Sequence, residues 1–131
     1  MLSNYKNEIY KDWLTVHGIK FKRKLENETA FDGIVKIYSI SSDNENINKT
    51  IQGLFFGKLA EPTESGILLR AFINKNSWPK TCLTHLNMTD NKLIFIKESK
   101  SSYDTWTVTK IGIRKYQIQL SPTETVDYTD V

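Results

Sequence analysis

Two apolar runs joined by a polar turn constrain this chain most: Ile51-Gln-Gly-Leu-Phe-Phe-Gly-Lys-Leu59 and Ile67-Leu-Leu-Arg-Ala-Phe-Ile73, linked through Glu61-Pro-Thr-Glu-Ser-Gly66. In an extended strand, successive side chains point to opposite faces. Ile51, Phe55 and Leu59 then share a face with Gly53 and Gly57 between them, while Leu54 and Phe56 take the other. In the partner run, Ile67, Leu69, Ala71 and Ile73 oppose Leu68 and Phe72. Both faces are apolar, which fits a central hairpin covered on each side better than an edge facing water.

The flanking segments extend the same period. Ile19, Phe21 and Leu25 alternate with Lys20, Lys22 and Lys24, a half-buried strand whose lysines also suit a sheet edge. Further strands are expected over residues 34–40, 81–88 and 93–97, and residues 41–46 read as a loop by composition. The cleanest hairpin comes last. Trp106 and Val108 alternate with Thr105, Thr107 and Thr109, and Tyr116, Ile118 and Leu120 alternate with Gln117 and Gln119, giving one core face and one polar face.

The ends read differently. Ile9, Trp13 and Val16 recur at helical spacing with Tyr10 and Leu14 beside them, so an amphipathic helix is expected over residues 4–17. Ser3 or Asn4 would cap its start, and Gly18 would supply the left-handed residue that ends it. Past Ser121-Pro122 no period is evident, and residues 121–131 read as a flexible acidic tail carrying Glu124, Asp127 and Asp130. The expected fold is therefore mainly β: a small antiparallel β-barrel or sandwich of about seven to eight strands with one N-terminal helix, in a single domain over residues 1–120.

A chain of 131 residues suits one domain with a core of its own. Cys82 is the single cysteine, so no internal disulfide is available, and the first residues lack the apolar centre of a signal peptide. Provided no leader has been trimmed, a cytoplasmic location is expected. No apolar run approaches the roughly 20 residues needed to span a bilayer. Net charge is +3, with six bases against two acids in residues 1–25. The aromatics of that basic segment, Tyr5, Tyr10, Trp13 and Phe21, fall at positions that imply burial, so a nucleic-acid surface is not expected.

The chemistry in the sequence is sparse. His17 and His85 have no metal-ligand spacing around them, and no metal or cofactor is expected. Cys82 and His85 lie three apart in an expected strand, on opposite faces, which is a poor arrangement for a nucleophile and its base. Asp32, Asp43, Glu45, Glu61, Glu64, Asp90 and Asp104 fall in turns, where local backbone geometry accounts for them.

Three functions follow, in order. The first is a non-enzymatic protein-binding domain of the inhibitor, immunity or adaptor type. It would use the loop residue Trp78 together with Thr105, Thr107, Thr109, Gln117 and Gln119. The second is a small β-barrel of lipocalin-like architecture holding an apolar small molecule. Gly53 and Gly57 would make room, and Phe55, Phe72, Trp106 and Tyr116 would line the cavity. The third is an enzyme with carboxylates at the barrel mouth.

Overall fold

The computed structural model describes residues 9–28, 35–74 and 76–131. Among these residues, seven consecutive strands form a meander, each paired antiparallel with the next: β1 (Lys11–Val16), β2 (Ile19–Glu28), β3 (Lys36–Ser42), β4 (Phe55–Pro62), β5 (Gly66–Phe72), β6 (Thr81–Asn87) and β7 (Lys92–Ser99). The last three, β8 (Thr107–Gly112), β9 (Lys115–Ser121) and β10 (Glu124–Thr129), form a second antiparallel sheet in the order β10-β9-β8. One short helix, α1 (Glu45–Ile51), lies between β3 and β4. The chain is thus mainly β, as its alternation predicts. Among the described residues no helix is long and apolar enough to cross a membrane.

The large sheet is curled without closing into a barrel. α1 packs against both β3 and β7, four strand positions apart. A flat sheet would hold those strands about 19 Å from each other, more than a helix of about 10–12 Å can bridge. The β1–β2 turn also reaches the β4–β5 turn, where His17 Nε2 lies 2.7 Å from the Thr63 carbonyl oxygen. Inside the curl, Ile47 and Ile51 of α1 pack with Val16, Phe21, Phe56, Ile67, Leu69 and Leu86. On the opposite face, Leu68 and Leu83 meet Trp106, Tyr116, Ile118 and Leu120 beneath the small sheet. Every residue of β5 is buried, as expected of a strand covered on both faces.

The N-terminal helix is corrected. Residues 4–8 lie outside the described residues, and Lys11–Val16 is a strand paired with β2. His17 and Gly18 both take positive φ, 50° and 78°. Two consecutive left-handed residues make the tight turn of a hairpin, whereas a helix cap requires only one. The helical spacing has a local cause. A bulge falls between Asp12 and Leu14, so Trp13 is an extra residue, and Trp13, Leu14 and Val16 all pack against the inner core.

Two further boundaries differ. The run beginning at Ile51 starts as helix, because the Asn44 side chain accepts the Ile47 amide at 3.1 Å and caps α1. Gly53 then turns the chain at φ 80° and is not part of β4. The acidic tail is also ordered. Glu124–Thr129 pairs with β9 as β10, Val126 and Tyr128 pack inward, and Asp130 is wholly buried.

Candidate ligand pocket

The pocket begins with an irregularity in the central hairpin. Phe56 pairs with Ala71 and Ala60 pairs with Leu69, so Gly57, Lys58 and Leu59 of β4 stand opposite Arg70 alone. Such an excursion bends a strand away from its neighbour. The space it opens is a cavity of about 380 Å³, lined by Gly57, Lys58, Leu59, Arg70, Phe72 and Trp78 together with Asp104, Thr105 and Trp106 from the segment leading into β8. Val35 and Lys36 complete one side.

Arg70 is the central group. It is 3% exposed in a strand otherwise built of apolar residues and glycine. Its Nε donates to Thr81 Oγ1 at 2.9 Å and Nη1 donates to the Tyr103 carbonyl at 3.1 Å. Its Cζ lies 3.9 Å from the centre of the Trp106 ring and 5.0 Å from that of Trp78, close enough for cation–π attraction to both. Among the described residues Nη2 has no hydrogen-bond partner, nor has Trp106 Nε1. Burial pushes the guanidinium down to about 10, with the field of Asp104 working the other way, so it stays cationic at neutral pH. A buried charge needs a counter-charge or full hydrogen bonding. No described carboxylate lies within ion-pair distance of it.

Gly57 supplies room in a measurable way. A Cβ placed there would come 3.2 Å from Phe72 Cε1 and 3.8 Å from Arg70 Cδ. Trp78 is half-buried, its ring 6.2 Å from that of Phe72. Its loop carries two turn bonds, Ser77 N–H to Asn74 O at 3.3 Å and Lys80 N–H to Ser77 O at 2.7 Å, and Asn76 accepts from the Asn27 side chain at 3.5 Å.

The two sets of residues proposed from the sequence therefore meet in part. Trp78 and Thr105 from the first, and Gly57, Phe72 and Trp106 from the second, line one pocket. Phe55 packs beside Phe72 and Trp78 without lining it. Gly53 borders a separate groove beside α1, and Tyr116 lies under the small sheet with its hydroxyl donating to Glu64 at 2.6 Å. Thr107, Thr109, Gln117 and Gln119 are exposed on the outer face of β8 and β9. Arg70 was missed. Its signal was available, since a charged side chain in the middle of an apolar, doubly covered strand requires an explanation.

A second polar cluster has a different character. His85 and Asp130 are both fully buried. His85 Nε2 lies 2.8 Å from Thr63 Oγ1 and its Nδ1 lies 2.8 Å from the Tyr128 hydroxyl. Asp130 accepts the Ser65 amide at 2.8 Å and the Ser65 hydroxyl. Burial pushes the Asp130 carboxyl up, but the hydrogen bonds from Ser65 and Thr63 outweigh it and hold the group below its ordinary value. Burial also lowers His85, against the field of Asp130. Nearby, hydrogen bonds from Lys110 and Tyr116 hold Glu64 down to about 2. These bonds tie the end of β10 to the β4–β5 turn, and a substrate cannot reach their buried members.

Cys82 is half-buried and burial raises its thiol, the opposite of an activated nucleophile. Among the described residues no group of three or more His, Cys, Asp or Glu side chains is placed to hold a metal ion. Comparison with protein families, curated proteins and solved structures finds no match to this chain.

Proposed function

We propose that this is a non-enzymatic binding protein whose two sheets act as an open sandwich, with a compact ligand held at their seam between Trp78 and Trp106. The observation that carries this reading is Arg70: a buried guanidinium, unpaired by any described carboxylate, flanked by two tryptophans in a cavity of about 380 Å³. Small-molecule sites occupy roughly 300–1,000 Å³ and combine apolar walls with a few fixed polar groups. The groups present favour binding over catalysis. Around the pocket stand Lys36, Lys58, Arg70, Asp104 and Thr105, and the hydroxyl and carboxylate nearest each other, Thr105 Oγ1 and Asp104 Oδ1, are neighbours in sequence at 3.4 Å. Among the described residues no histidine and no second carboxylate lines the pocket, so Asp104 has no partner with which to form an acid–base pair.

Capture of a protein partner, as an inhibitor, immunity protein or adaptor would do, is the second reading. It draws on the β8–β9 hairpin, whose tip carries Ile113 at 86% exposure beside the Thr and Gln face. A fragment screen followed by amide and indole NMR separates the two. Shifts confined to Gly57, Arg70, Thr105 and the Trp78 and Trp106 indoles support the pocket. Shifts only on β8 and β9, or none, count against it.

A further inference from the structure

Resting on the pocket reading, we propose that the ligand presents a carboxylate, which takes the free donors of Arg70 and Trp106 while the two tryptophans hold its flat or apolar body. Two pocket-lining residues each carry a buried donor that lacks an acceptor among the described residues, Arg70 Nη2 and Trp106 Nε1. Neither can be satisfied by a ligand's N–H groups. Both require an acceptor, and one of them carries a charge without an ion-pair partner. A carboxylate supplies acceptor oxygens and one negative charge, the complement of one guanidinium.

The surroundings favour the same sign. Lys36, Lys58 and Arg70 line the pocket against Asp104 alone. Lys36 is already engaged by Glu28 at 2.9 Å, which leaves Lys58 to attract the ligand and Arg70 to hold it. Asp104 opposes an incoming acid. Both nitrogens are closed off from water, so a ligand in the cavity reaches them only by displacing a neighbouring group. Trp78 is half-buried and lies 5.0 Å from the Arg70 guanidinium, so its displacement would uncover that group. Trp106, at 6% exposure, is fixed in the core beneath the small sheet.

The test is calorimetric titration of the full chain with matched pairs: benzoate and benzamide, indole-3-acetate and indole-3-acetamide, N-acetylphenylalanine and its amide. At least one acid is expected to bind at least about tenfold tighter than its amide, as loss of a charge-assisted bond implies. The Trp78 indole should shift with it. At ten times Kd the acid should raise Tm by roughly 4–7 °C. D104N should tighten acid binding and leave the amide unchanged, and R70Q, checked for folding by circular dichroism, should erase the difference within the pair.

If acid and amide bind equally in the pocket, the carboxylate inference fails and the pocket reading stands. If phenyl phosphate binds tighter than every acid, the anion is retained and the carboxylate is overturned. If nothing binds, both fall. Tighter binding of N-acetylphenylalanine than of benzoate and indole-3-acetate identifies the carboxylate as the end of a polypeptide, and the reverse identifies a small acid. Should R70Q not fold, the matched pairs and D104N still decide the question.

Discussion

Replacing Asp130 by alanine tests how the small sheet is fastened to the large one. Asp130 is fully buried, and its carboxylate takes the Ser65 amide and hydroxyl from the β4–β5 turn. Hydrogen bonds to a charged group contribute roughly 1.5–3 kcal/mol each, so two of them lost gives about 3–6 kcal/mol. Relief of carboxylate burial offsets part of this, and the Arg114 contact adds little, being 3.9 Å long with Arg114 half exposed. The net expected loss is about 2–4 kcal/mol. For a domain of this size that corresponds to a fall in Tm of roughly 6–18 °C. Urea unfolding and calorimetry at pH 7 measure it. D130N, which keeps the volume and one acceptor, should lose about half as much. A fall of under 3 °C in D130A would falsify the fastening and return the tail to the mobile state its composition implies.

Three further outcomes follow from particular contacts. G57V should abolish binding in the pocket while costing about 1–3 kcal/mol by overpacking against Phe72, read by calorimetry and thermal melting. Stability should fall on acidification in two stages. His85 is held below its ordinary value of 6.5 in the folded chain, so the unfolded chain takes up its proton first, and stability present above that pH is lost as pH drops through 6.5 towards the folded value, by at most about 1.4 kcal/mol per pH unit. Glu64 and Asp130, both lowered by folding, keep their contribution above about pH 4.5 and lose it below. Urea midpoints across pH 3–8 should show both limbs, with H85Q flattening only the upper. N44A should cost about 0.5–2 kcal/mol by uncapping α1, with a loss below 0.3 kcal/mol in urea unfolding contradicting the role of the cap.

Much of the β architecture was legible because burial imposes a period of two. Leu68 and Leu69 fall into opposite cores as their alternation demands, and Tyr116, Ile118 and Leu120 all point inward from β9. Errors arose where tertiary structure broke the period. The bulge at Trp13 imitated a helical stripe, and the left-handed pair His17-Gly18 lacked the asparagine or aspartate that usually marks such a hairpin turn. β10 was hidden because only Val126 and Tyr128 carry its buried face. α1 was hidden because Asn44, Glu45, Asn46 and Asn48 read as loop composition until Ile47 and Ile51 are seen as one buried face. For the pocket, the sequence named five of the lining residues but not the element that unites them. The excursion of β4 opposite Arg70 depends on register, and no local pattern encodes register when both strands are apolar on both faces.

Among the described residues the joint between β3 and β4 rests on a single backbone pairing, Tyr38 with Phe56, whereas the neighbouring junctions are long ladders. Cooperative opening follows the weakest joint. β1 to β3 should therefore exchange their amide hydrogens as one unit, faster than β5 and β6, with Ile47 and Ile51 as the apolar latch. Val35 and Lys36, at the start of β3, form one side of the pocket. A ligand seated there would bridge two foldons, so its occupancy should be readable as slowed exchange in β3, a strand that gives it only one lining residue. Uniform exchange across all seven strands would instead mean that the large sheet opens as one body.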